Sequence, residues 1–295
     1  LVPPQQATKT MKSPQSFIPL KRNSFRLKPI KSLFKTAKQY FSEASDKTQQ
    51  VPSDEEILKQ AQEALETSRQ TNNYTNYLAF AETVLTIKKK LHGEEYTEGR
   101  FEDMRNIGFG NMIETKYTEA LFFLDEALKY AKKEMDFLEA HLYLGQLYMV
   151  MNNYESAIES LDQGYIHAKT LFSSYLSQPG ETLLKVAYNT INVSRNLMEV
   201  SRKRLNNAKV KTILSENIQM FQSIMRISPV FATKSMRDFL AYTYECCEEL
   251  TELALREGDH AAAEKAISHQ LEAVAVANDH FYRARALFNQ GLVDS

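Results

Sequence analysis

His141–Gly164, HLYLGQLYMVMNNYESAIESLDQG, is the stretch on which the fold turns. Gly145 and Ala157 are small residues placed where two helices must touch, and Asn152-Asn153 interrupts the apolar period between them. The same pattern stands 37 residues upstream. Gly108, Tyr117, Ala120, Leu124 and Ala127 return as Gly145, Tyr154, Ala157, Leu161 and Gly164. A period of this size marks a solenoid of helix pairs, because one pair cannot bury its own apolar faces and a stack of neighbours can. The spacing therefore predicts an all-α solenoid of antiparallel helix pairs.

The rest of the chain agrees with that pattern. Five of the eight prolines fall in the first 30 residues, leaving Pro52, Pro179 and Pro229 as the breakers of the remainder. Ser53-Asp54-Glu55-Glu56 reads as a capping box, with Ile57, Leu58, Ala61, Ala64, Leu65 and Ser68 on one face behind it. Asn72-Asn73 makes the turn into a second helix over 75–91, which His92-Gly93 ends. Further helices are predicted over 100–113, 118–135, 137–151 and 154–172. Pro179-Gly180 precedes two longer ones, near 181–205 and 208–227. Ser228-Pro229 opens a helix reaching Glu257, and Gly258-Asp259 turns into others over 260–277 and 279–293. No apolar run of about 18 residues or more exists, so no membrane-spanning helix is expected.

Leu144-Gly145-Gln146-Leu147-Tyr148, Asn152-Asn153-Tyr154, Ala157, Leu161 and Gly164 resemble the tetratricopeptide repeat (TPR) pattern, with His141 in the place of its usual tryptophan. In the unit before, Ile107-Gly108, Tyr117, Ala120, Leu124 and Ala127 fit, and Asn111 replaces the expected tyrosine. The segment 86–100, TIKKKLHGEEYTEGR, is similar to the linker of kinesin light chain-type repeats, and the 43 residues from Tyr74 to Tyr117 agree with that wider spacing. Leu250, Ala263 and Ile267 repeat Leu144, Ala157 and Leu161 at a distance of 106 residues, so an enlarged pair at 181–227 must lie between them. The resemblance implies regular repeats over 53–172, the enlarged pair, and a C-terminal repeat with a capping helix over 229–295. It also implies that the first helix of each pair lines a groove. Glu102, Arg105, Asn106, Phe109, Met112, Glu139, Leu142, Tyr143, Gln146 and Met149 would face that groove. Only Arg105 and Asn106 could grip a terminal carboxylate, which needs several converging donors. An apolar, Met- and aromatic-bearing groove suits a helix or an extended apolar peptide instead. Phe109 and Leu142 either line such a groove or pack against neighbouring repeats.

Nothing in the pattern points to catalysis or to a cofactor. The histidines His92, His141, His167, His260, His269 and His280 are scattered without ligand spacing, and Cys246-Cys247 is a poor metal pair because adjacent helical residues diverge by about 100°. No phosphate loop, nucleophile elbow or kinase signature is present. The dense basic patch Arg202-Lys203-Arg204, Lys209 and Lys211 is read as a solvated turn.

The net charge of −1 hides an asymmetry: residues 1–50 carry +8 and the remaining 245 carry −9. Residues 1–50 form an extended basic arm with a short amphipathic helix over 31–44. Its candidate docking residues are Lys21, Arg22, Arg26, Lys28, Lys31, Leu33, Phe34, Lys35, Lys38 and Phe41. The arm is similar to a mitochondrial targeting segment, of which it would be a remnant. Its expected contacts are an acidic protein surface or anionic lipid, and the acidic body argues against nucleic acid. The expectation is a non-catalytic protein–protein interaction scaffold without cofactors. It would be an accessory subunit of a mitochondrial assembly, in the matrix or peripheral to the inner membrane. Its rivals are a transient assembly factor or chaperone-type adaptor, an RNA-associated helical-repeat protein, and a cytoplasmic location.

Overall fold

The computed structural model describes residues 53–178, 180–227, 233–277 and 280–293. All of them belong to the second of the two units into which the chain divides, Leu1–Val51 and Pro52–Ser295. The arm residues from Lys21 to Phe41 and the helix opening at Ser228-Pro229 lie outside the described residues. Among the described residues are eleven α-helices and no strand. The first six are α1 Asp54–Thr71, α2 Tyr77–His92, α3 Arg100–Ile113, α4 Tyr117–Tyr130, α5 Glu134–Val150 and α6 Tyr154–Tyr175. The others are α7 Glu181–Lys203, α8 Asn207–Ile227, α9 Thr233–Arg256, α10 His260–Ala277 and α11 His280–Val293. Each helix packs on the next in sequence, which is the arrangement of an all-α helical-repeat solenoid.

The two helices of each pair are joined by one device, used five times. Asn72, Thr115, Asn152, Leu205 and Gly258 take left-handed backbone angles, with φ of 52°, 62°, 59°, 55° and 74°. The following amide then donates to a carbonyl five residues back. Asn73 closes on Ser68, Lys116 on Asn111, Asn153 on Tyr148, Asn206 on Ser201 and Asp259 on Ala254, at 2.9–3.0 Å. This Schellman closure satisfies carbonyls that a helix end leaves unpaired. The five joints lie 43, 37, 53 and 53 residues apart. The 106-residue displacement is thus two equal steps of 53, and α7–α8 is the unit between them.

Leu205 is an unusual choice for such a joint. Its side chain is 87% exposed, so it gains little from packing, and a left-handed angle costs an L-residue about 1–2 kcal/mol. Leu205→Gly should therefore raise stability by roughly 1 kcal/mol, after allowing for the extra chain entropy of glycine. A thermal melt unchanged or lowered by the substitution would contradict the strain argument.

Helix starts follow their local chemistry. At α1 the Ser53 hydroxyl accepts from Glu56 N–H at 3.2 Å while the Glu56 carboxylate accepts from Ser53 N–H at 2.7 Å, completing the box. α4 ends at Tyr130, short of the predicted 135. Ala131 is extended, and Asp136 Oδ2 accepts the amides of Lys132 and Lys133 at 3.1 Å, which starts α5 at Glu134.

Packing within the pairs explains the sequence echo. A Cβ on Gly108 would stand 2.7 Å from Leu124 Cγ, and one on Gly145 would stand 2.6 Å from Leu161 Cδ2. Both leucines are fully buried, so each glycine is the notch that receives its partner. The largest apolar cluster runs from Leu138 in α5 to Cys247 in α9. Ion pairs run along its surface from one unit to the next. Arg204 pairs with Glu155, Lys209 with Asp162, Arg202 with Glu249 and Lys211 with Glu257. Lys203 pairs within α7 with Glu199. The dense basic patch is therefore bonded throughout to the body's own carboxylates.

Candidate functional site

The first helices of successive pairs, α1, α3, α5 and α7, bring a polar cluster together. Arg69 lies in the last turn of α1, Arg105 and Asn106 in the middle of α3, Glu139 near the start of α5 and Lys185 in the second turn of α7. Arg105 forms an ion pair with Glu139 Oε2, and Lys185 Nζ lies 2.9 Å from the other carboxylate oxygen. Arg105 and Glu139 are buried, whereas Lys185 is exposed. Asn106 Oδ1 accepts from the Arg69 guanidinium, from the Tyr77 hydroxyl at 3.4 Å and from Arg105 Nη2 at 3.3 Å. Arg69 Nε also donates to the Tyr77 hydroxyl at 3.1 Å.

An aromatic cluster adjoins this network. Phe109 stands 5.3 Å from Tyr74, 5.4 Å from Tyr77 and 5.3 Å from Tyr143, all edge-on or tilted. Such contacts are favourable beyond simple area burial. Burial pushes the hydroxyls of Tyr74 and Tyr77 above their ordinary range, so both are neutral donors. Burial also presses the Arg105 guanidinium below its ordinary value.

The expected groove residues divide between this network and the packing. Glu102 is exposed, while Phe109, Tyr143 and Gln146 are half-buried. Met112 is buried with Ala120, Leu124, Leu144 and Leu147, and Leu142 and Met149 are buried in the largest cluster. Those apolar side chains are engaged in packing between helices, and Arg105, Asn106 and Glu139 belong to the network. Arg69, Tyr77 and Lys185 complete it and were not among the residues singled out in the sequence. Lys185 comes from the early turns of α7, which has 23 residues against 17 in α5. No 37-residue echo points to it.

Two histidines meet although they are distant in sequence. The His141 and His167 rings stack at 5.9 Å, and Phe137 stacks on His167 at 5.2 Å. His167 Nδ1 contacts Glu134, while His141 Nδ1 is buried without a hydrogen-bond partner among the described residues. Burial, and then the charge of His167, lowers the His141 pKa below its ordinary 6.5. The folded state thus holds His141 neutral where the unfolded chain takes up a proton. Its contribution to stability is present above pH 6.5 and is lost as the pH falls below that value. The melting temperature of the wild type should drop a few degrees more between pH 7 and pH 5.5 than that of His141→Leu. Parallel curves would exclude this residue as the cause. Among the described residues no group of three or more His, Cys, Asp or Glu could hold a metal ion. Cys246 and Cys247 are both buried, and burial pushes the Cys246 thiol up to about 12. No protein-family profile matches the chain, and no curated protein matches it.

Proposed function

We propose that the chain is a non-catalytic protein–protein interaction scaffold, built of TPR-like helix pairs and serving as an accessory subunit of a larger mitochondrial assembly. The observation that carries this reading is the polar and aromatic face made jointly by α1, α3, α5 and α7. Four helices contribute to one surface without assembling a nucleophile–base pair on it, and such a surface suits recognition. The mitochondrial placement rests on the basic, acid-poor composition of residues 1–50. An RNA-associated role gains no support from the body, where carboxylates of the same chain already occupy the basic patch.

The test is native separation of gentle extracts followed by cross-linking mass spectrometry. The protein should migrate far above its 33.9 kDa mass and yield cross-links to defined partners. Migration as a free monomer would sink the subunit reading, and fractionation without a mitochondrial pool would sink the location.

A further inference from the structure

The α1–α3–α5–α7 face is rich in donors and poor in acceptors. Two guanidiniums and a tyrosine hydroxyl converge on Asn106 Oδ1, a neutral oxygen with two lone pairs. Arg105 Nε is buried and has no hydrogen-bond partner among the described residues. Arg69 is half-buried, and among the described residues its bonds go to neutral acceptors, Tyr77 and Asn106, with no ion pair. Arg69, Arg105 and Lys185 are close enough to repel one another, and Tyr143 lies within the field of all three. The carboxylate of Glu139, buried in this face, is shared by Arg105 and Lys185.

Other carboxylates act on this face only from a distance. Glu66, Glu102 and Asp136 each influence one of the cations. Glu66 already accepts from Gln70, and Asp136 caps α5. A half-buried cation held only by neutral acceptors, as Arg69 is, gains from a partly desolvated anion. Lys185 and Tyr143 keep the face open to one, since Lys185 is exposed and Tyr143 half-buried.

We infer that the face formed by Arg69, Arg105, Lys185 and Tyr143 is an anion site that takes side-chain carboxylates of an internal acidic segment in a partner protein. This rests on the scaffold reading and names the chemistry of the partner. The aromatic cluster around Phe109 gives the peptide an apolar surface beside the cations.

The probe is a labelled oligoglutamate peptide, acetylated and amidated so that no terminal carboxylate is present, titrated by anisotropy against the full chain. Lys185→Gln and Arg69→Gln should each weaken binding about tenfold. Lys31→Gln with Lys35→Gln, in the basic arm, should change it less than about threefold in the same salt. Lys185 is exposed, so its variant tests the site without disturbing the core. Binding that survives both face substitutions, or that follows the arm substitutions instead, overturns the site. A phosphoserine peptide that binds where oligoglutamate does not would overturn the carboxylate as its ligand. None of these outcomes alters native migration or cross-linking, so the scaffold reading stands or falls separately.

Discussion

Gly145→Val should destabilise the protein by about 3 kcal/mol, and Gly145→Ala should change sign with the residue opposite. In the native chain a Cβ at position 145 meets Leu161, which is fully buried and cannot swing aside. Overpacking of this kind costs about 1–3 kcal/mol, more than the ~1 kcal/mol that alanine gains over glycine in a helix. Valine adds two further carbons to the clash and a restricted rotamer. Leu161→Ala alone should cost about 2–5 kcal/mol through the cavity it leaves. In that background the clash is gone, so Gly145→Ala should stabilise by up to ~1 kcal/mol. Urea denaturation of the four combinations measures this as a coupling. Additive effects would mean that the notch and its leucine do not fit together as described.

That contact was legible in the sequence because it occurs twice. Gly108 with Leu124 and Gly145 with Leu161 are the same notch and knob, 37 residues apart. The capping box at Ser53 and the Asn72 and Asn152 joints were legible for a similar reason: each is set by side chains within a few residues. Gly258 was legible as a glycine turn, whereas the joint at Leu205 hid because its residue type differs. Leu205 carries no turn signature, yet it adopts the angle of Asn152 and closes the same hydrogen bond one residue later. The backbone closure between Ser201 and Asn206 holds it there, and no side-chain preference announces it.

The candidate site was legible only in part. Arg105, Asn106 and Glu139 were found through their places on first helices, but the rest of the network comes from positions that are not equivalent to them. Arg69 lies 37 residues before Asn106 where the joints of those two units are 43 apart, Glu139 lies 34 after Arg105 where the period is 37, and Lys185 sits on a helix outside the regular repeat. Periodicity finds equivalent positions, whereas a network between units joins inequivalent ones. The apolar groove expected from Met112, Leu142 and Met149 has a related explanation. α3 is covered on more than one side, so ten of its 14 residues are buried. A helix so enclosed has little apolar stripe left to present.

Glu139 is the keystone of that network, and its loss should be the costliest single change there. Glu139→Gln should destabilise by about 3–5 kcal/mol, the range for stranding one member of a buried ion pair. The reason lies in the asymmetry of the contacts. Glu139 answers two cations from two different helices, Arg105 of α3 and Lys185 of α7. Removing its charge leaves a buried guanidinium facing an amide and repelled by Arg69. Arg105→Met should cost less, because Lys185 still holds the carboxylate at 2.9 Å. Lys185→Met should cost no more than about 1 kcal/mol, since its own side chain is 59% exposed. The double substitution Arg105→Met with Glu139→Leu should recover most of the loss, because apolar side chains of similar volume avoid the desolvation of both charges. Urea midpoints of the four variants establish the ranking. Equal costs for Glu139→Gln and Lys185→Met would show that the buried pair is not the element joining these helices. The expected order instead ties α3, α5 and α7 together through one carboxylate, which fixes Arg105 and Lys185 in place at the proposed anion site.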